Sequence, residues 1–230
     1  MKASIGAAVR KGSLPPMDPA GDPTEQLRAA IAQGYYLPNE HLVEADLCQF
    51  FKTNRSVIRG VLAKLEQQGL VVRERNRGTF VRRIEAQEAV EVLEVRCVIE
   101  ALSARYAAER STLVDLRRLR EMHAEMARLQ EMGDIAAYLK MNERFHSTIL
   151  QLSAHEVAGR LLTSLNSQVS QYRGRSLIKP GRLIGSVREH AEIVEAICSR
   201  NGDAAEAAMR RHLSASMMAL REWFPDLPQG

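Results

Sequence analysis

The segment from Leu37 to Val81 constrains the fold more tightly than any other part of the chain. Apolar residues at helical spacing mark one helix over residues 43–51 and another over residues 55–68, with only Lys52, Thr53 and Asn54 between them. So short a turn makes the helices cross steeply instead of lying side by side, which is helix-turn-helix geometry. Val57, Val61, Leu62 and Leu65 are expected to form the buried face of the second helix, and Gly69 closes it. Residues 70–75 and 78–82 then read as two short strands around the turn Asn76-Arg77-Gly78, a hairpin wing. Upstream, Leu27 and Ile31 mark a helix over residues 24–34 that ends at Gly34.

Charge singles out the same segment. Residues 52–83 hold Lys52, Arg55, Arg59, Lys64, Arg73, Arg75, Arg77, Arg82 and Arg83 against only Glu66 and Glu74, while the whole chain carries a net charge of +4. The rest of the molecule is therefore close to neutral. A positive field concentrated on one small module attracts a polyanion and makes its binding salt-dependent, so double-stranded DNA is the expected partner.

The 230 residues allow one or two domains, and an aromatic content of 5% with abundant Ala, Leu, Glu and Arg favours helices. No apolar run approaches the roughly 18 residues needed to cross a bilayer, and the first residues lack a signal-peptide core, so a cytoplasmic protein without membrane contact is expected. Cys48, Cys97 and Cys198 are an odd set without CxxC spacing, which suggests neither disulfides nor a thiolate metal site. Residues 1–20, rich in Gly, Pro and small side chains, read as a flexible arm. Residues 21–83 form the expected DNA-binding domain, and residues 84–230 a second domain.

That second half carries no strand signal. Leu93, Val95, Ile99, Leu102 and Tyr106 mark a helix over residues 85–110, and Thr112 with Asp115 resembles a capping box opening another over residues 112–133. Further helices are expected over residues 134–152, 155–175, 182–200 and 203–224. The fold class is thus mainly α: a winged helix-turn-helix of three helices and a β-hairpin, then an all-α antiparallel bundle of about six helices.

The run LPNEHLVEADLCQFFKTNRSVIRGVLAKLEQQGLVVRERNRGTFV resembles the winged helix of the GntR family of bacterial transcription regulators across its whole signature. It departs at Asn54-Arg55, where Ser-Arg is common, and at Arg59-Gly60-Val61-Leu62, where Arg-Glu-Ala-Leu is usual. Gly60 costs a helix about 1 kcal/mol relative to Ala. Residues 86–225 resemble the FCD-type effector domain of the family's FadR branch through Glu94-Val95-Arg96, Ile99-Glu100, Asn142-Glu143-Arg144-Phe145-His146, Glu189-His190 and Arg211-His212-Leu213.

Arg55 and Arg59 stand one helical turn apart with Asn54 at the helix mouth. Arginine pairs bidentately with guanine and asparagine with adenine, so these residue types suit major-groove reading, with phosphate clamping as the alternative. Lys64 reads as a solvated charge. The resemblance adds the wing tip, Arg75, Asn76, Arg77 and Gly78, as a minor-groove contact.

Asn142 and His146 share one helix face at i and i+4. His190 and His212 flank the turn at Gly202 at 12 and 10 residues, so in an antiparallel pair their depths differ by only about 3 Å. Three imidazoles and one oxygen form a plausible transition-metal set. The FCD resemblance implies a divalent metal, zinc or nickel, held by Asn142, His146, His190 and His212, although the family's usual first ligand is Asp and the amide here is a weaker donor. By the same resemblance Arg96 faces an anionic effector; its alternative is an i, i+4 pair with Glu100. Tyr138, Arg173 and Arg175 are further pocket candidates. His41, His123 and His155 fit no such pattern.

These residues imply a homodimeric regulator, most simply a repressor, that reads a pseudo-palindromic operator and responds to a small carboxylate-type effector. Two rivals stand beside it. A metal-dependent hydrolase would need a base beside the metal, and Glu143 and Glu189, neighbours of candidate ligands, are expected to face away. Alternatively, the bundle only dimerises.

Overall fold

The computed structural model describes residues 17–169, 172, 177 and 179–222. It divides into two compact units, residues 1–84 and 85–230. Most of the expected arm, the candidates Arg173 and Arg175, and the end of the last expected helix at Phe224 lie outside the described residues.

In the first unit, the Asp22 carboxylate accepts hydrogen bonds from the Thr24 and Glu25 amides and starts α1, Pro23–Ala32. Helix α2, Glu44–Phe50, is followed after the turn by α3, Arg55–Gln67. Leu27, Ile31, Leu47, Phe51, Ile58, Leu62 and Leu65 fill the core between the helices, and Met17 joins them. One expectation fails on α3: Val57 is 45% exposed and Ile58 is fully buried. The stripe runs through Ile58, Val61, Leu62 and Leu65, the i, i+3, i+4, i+7 set, and Val57 falls outside it. Strands β2, Val71–Glu74, and β3, Gly78–Val81, form the antiparallel wing with Val71 opposite Val81. A third strand, β1, His41–Leu42, pairs with the other edge of β3 and sets His41 opposite Phe80. Its two residues are too few to leave a period-2 signal in the sequence.

The second unit comprises α4, Ala86–Arg110; α5, Leu113–Glu131; α6, Ile135–Leu152; α7, Glu156–Gln168; α8, Arg182–Cys198; and α9, Gly202–Arg221. The Thr112–Asp115 capping box is present, and Asp134 and Asn201 cap α6 and α9. Helix α4 packs most extensively on α9, and α5 packs on both α6 and α8. The face that α4 buries is not the one that carries its largest apolar residues. Cys97, Ala101, Ala104, Ala107 and Ala108 are buried, whereas Val95 is 50% exposed and Leu93, Ile99, Leu102 and Tyr106 are only partly covered. Small side chains let the α4 and α9 axes approach over Ala205, Ala208 and Met209, so helix spacing outweighs the size of the apolar stripe.

Candidate nucleic-acid interface and metal centre

Helix α3 presents Arg55, Ser56, Val57, Arg59, Gly60 and Lys64 to solvent. Arg55 makes no ion pair or hydrogen bond with other described residues, so its guanidinium is available. The Arg59 Nε bonds both carboxylate oxygens of Glu44, at 3.2 and 3.1 Å, which steadies the side chain while its two terminal nitrogens make no bond to the other described residues. Asn54 serves the helix itself, because its Oδ1 accepts the Val57 amide hydrogen bond at 3.0 Å and caps α3. Only its NH2 group remains unengaged, half of what bidentate adenine pairing requires.

At the wing tip Arg75 is exposed and makes no bond to other described residues, while Arg77 pairs with Glu74 and lies over the Phe80 ring at 5.6 Å. Asn76 has φ +62° and Gly78 φ +105°. Gly78 has a structural reason to be glycine, because a Cβ there would run into the His41 ring, which stacks on Phe80 at 4.8 Å.

The second constellation lies in the helical unit. Helix α6 supplies Asn142 and His146, α8 supplies His190, and α9 supplies His212. The sequence spacing of His190 and His212 about Gly202 does bring their rings together, with centroids 4.3 Å apart; the His146 ring lies 5.5 Å from His190 and 5.2 Å from His212. One nitrogen from each lies within 4.8 Å of the others. His190 and His212 are 0% and 3% exposed.

Every Nδ1 is taken by a neighbour. His146 Nδ1 stands 2.9 Å from Glu100 Oε2, His212 Nδ1 2.7 Å from Glu189 Oε2, and His190 Nδ1 3.3 Å from the Tyr138 hydroxyl, which donates to Ser186 Oγ. Carboxylates and a hydroxyl oxygen are acceptors here, so each ring holds its proton on Nδ1 and turns an Nε2 lone pair inward. The Nε2 atoms of His146 and His190 are 3.4 Å apart. Two lone pairs facing each other repel unless a proton or a metal ion lies between them, and two nitrogens about 2.1 Å from one zinc-class ion would be spaced about this far apart. Asn142 Oδ1, one turn before His146 on the same face, is buried and has no hydrogen-bond partner among the described residues. The residues present therefore fit a divalent metal with three imidazole nitrogens and one amide oxygen.

The electrostatics agree. Burial, reinforced by the neighbouring imidazoles, holds His190 well below its usual range. Burial also brings His212 down to about 4, although its bond to Glu189 pulls the other way. Both are neutral near pH 7, the form that ligates metal. For Glu100 burial alone would raise the carboxyl, but Arg96 and His146 outweigh it and hold it at about 2. Glu189 is likewise lowered against its burial by His212 and Arg182.

Of the two alternatives open for Arg96, its pair with Glu100 is present at 2.7 Å, and its Nη1 makes no hydrogen bond to the other described residues. Tyr138 is fully buried as the partner of His190. Glu189 does not face away as expected: α8 directs it toward α9, where it holds His212 and accepts two bonds from Arg182. Arg182 is absent from the sequence reading, and Glu100 and Glu189 enter it only as a partner of Arg96 and as a neighbour facing away, not as the carboxylates that hold His146 and His212. Glu100 and His146 are 46 positions apart, and nothing in one sequence links them. The other histidines are structural: His123 Nε2 bonds the Val187 carbonyl, and His155 caps α7.

Comparison with known proteins agrees with both halves. Residues 24–81 match the model for bacterial regulatory proteins of the gntR family, and residues 91–215 match the FCD domain. The galactonate operon transcriptional repressor of Escherichia coli K12 is 29% identical over 213 residues, covering 84% of this chain and 92% of its own length. The HTH-type transcriptional repressor RspR of the same strain is 26% identical, covering 87% and 91%. Among solved structures, E. coli McbR/YncC shares the fold with a TM-score of 0.74 at 16% identity, over 88% of this chain and 96% of that one. With both of its domains matched in order, the chain belongs to the GntR family of bacterial transcription regulators, DNA-binding proteins rather than enzymes, and carries an FCD domain.

Proposed function

We propose that this protein is a metal-containing, ligand-responsive repressor that binds a pseudo-palindromic operator as a homodimer and releases or tightens on it when a small organic acid enters the helical domain. One observation carries the reading. Within a DNA-binding regulator, three imidazole nitrogens lie within 4.8 Å of one another, and one turn before His146 on the same helix face Asn142 holds a buried amide oxygen without a partner among the described residues, in a domain remote in sequence from the recognition helix. Asn142, His146, His190 and His212 hold a divalent metal, zinc or nickel, which when bound supplies a Lewis-acid position for an anionic oxygen. The open Nη1 of Arg96 takes another oxygen of the same acid.

Arg59, steadied by Glu44, reads a base, while Arg55, Arg75 and Arg77 hold phosphates or groove edges. Asn54 and Gly78 contribute chiefly by shaping the helix start and the wing turn. Dimerisation follows from the few base pairs that one winged helix can read, and α4 offers apolar surface for it, since Val95 and Val98 stay half exposed although the opposite face is already packed. The organic acid acts by differential affinity for the DNA-competent and incompetent arrangements. The repressor role rests on the names of the relatives. A hydrolytic reading fails on Glu189, which is occupied by His212 and Arg182 and cannot serve as a free base.

The test is selection of genomic fragments by the purified protein, followed by titration of the enriched fragment with organic acids in the presence of zinc. Enrichment of a short palindrome, with affinity changed by one acid in wild type but not in His146→Ala, is expected. No enrichment at low salt by the folded protein would overturn the reading. Enrichment without any response that depends on His146 would reduce the helical domain to a dimerisation block.

A further inference from the structure

The charges around the centre cancel before any metal enters. Glu100 is matched by Arg96 at 2.7 Å, and Glu189 by Arg182 at 2.7 Å. The three imidazoles each direct Nδ1 to an outer partner, which leaves Nε2 free to act as a ligand that carries no negative charge. The remaining donor, Asn142 Oδ1, is an amide oxygen, buried and without a partner among the described residues. A dication placed among these groups keeps its full double charge in a largely buried setting, with no negative ligand of its own. A carboxylate in place of the amide would cancel half of that charge.

We propose that Asn142 makes metal and anion binding interdependent in this protein: the centre takes up its divalent ion strongly only together with a carboxylate that supplies the missing negative charge. This rests on the metal reading above and adds to it a reason for the organic acid to be sensed. An uncompensated buried charge is strongly unfavourable, so the ion that enters alone is held weakly, and the first carboxylate to join it restores the balance. By thermodynamic reciprocity the acid gains in affinity from the metal by the same factor that the metal gains from the acid. The supporting residues cannot substitute for the acid. Arg96 and Arg182 already neutralise the two nearby carboxylates, and Arg182, 9% exposed, is fixed by Glu189, Ser216 Oγ and the His212 carbonyl. The regulator thus behaves as a coincidence detector for metal and acid, and the substitution at one residue decides it.

The experiment uses the full-length protein, stripped of metal, and measures zinc affinity by competition with a chromophoric chelator, in acetate and in perchlorate at equal ionic strength. His146→Ala sets the background from other zinc-binding groups. Wild type should bind zinc about tenfold or more tightly in acetate, the size of effect that changes around a metal's ligands commonly produce. Asn142→Asp should bind zinc about tenfold more tightly than wild type in perchlorate and lose most of the acetate gain. Asn142→Ala, which removes the oxygen without adding charge, should bind zinc more weakly and keep the gain. Equal zinc affinity in both salts for wild type, or an undiminished acetate gain in Asn142→Asp, would overturn the proposal and leave the metal site standing. Zinc binding no stronger than that of His146→Ala in either salt would overturn the metal reading itself.

Discussion

Each imidazole of the His146, His190 and His212 cluster is held by its neighbours, and the two buried ones give the helical unit a definite acid response. His212 lies near 4 and His190 well below 6.5 in the fold, so on acidification the unfolded chain takes up protons first. Their contribution to stability is therefore complete above about 6.5 and is lost as the pH falls toward 4, at about 1.4 kcal/mol for each unit of depression. Glu100 and Glu189 act in the same sense further down: both are depressed, so their contribution persists above the usual 4.5 and disappears below it. Urea unfolding of the metal-free protein should give a clearly lower midpoint at about pH 5 than at about pH 7.5. Equal midpoints would mean that the histidines are not held neutral by the fold. Which side chains surround these imidazoles was only partly legible beforehand. The i, i+4 spacing of Asn142 and His146 places them on one face, but the pairing of Glu189 with His212 depends on how α8 meets α9.

Among the elements, α3 is set by local rules almost throughout. Asn54 caps it, Ile58, Val61, Leu62 and Leu65 fix its buried face, and Gly69, at φ +71°, ends it. Gly60 is the exception: it sits mid-helix on the exposed face, and apart from its chain neighbours and the backbone of its own helix no described atom lies within 4 Å of where a Cβ would stand. Gly60→Ala should therefore stabilise the protein by about 0.5–1 kcal/mol, read as a raised thermal midpoint. A lowered midpoint would show that the position needs glycine for a contact absent from the isolated chain. Nothing in the fold of the single chain explains this glycine. Helix α4 shows the opposite balance between local and distant causes. Its larger apolar residues Val95, Ile99 and Leu102 are exposed or only partly covered, whereas the alanines at 101, 104, 107 and 108 are buried in the core of the bundle. Apolar content on both sides of one helix is legible in sequence; which side meets the chain's own core is not.

On the scale of the whole molecule, charge is divided as sharply as structure, with the positive excess confined to the winged helix. DNA affinity should accordingly fall steeply with salt, by about a factor of 10³–10⁵ between 50 and 200 mM if six to ten phosphates are engaged. Arg75→Ala should reduce the log–log slope by about 1 without changing sequence preference. Affinity that barely responds to salt would remove phosphate neutralisation as the basis of binding. The order of elements, the steep helix pair and wing, the cap at Thr112, the location of the charge and the family can all be read from the amino-acid order alone, because each is written in neighbours a few positions apart. That Val57 faces out, that β1 joins the wing, that alanines line α4, and that Glu100 and Glu189 hold two of the three histidines emerges only once the chain is packed. Those outcomes depend on elements meeting across long stretches of chain, where the spacing and angle of packed helices, rather than any local pattern, select the partner.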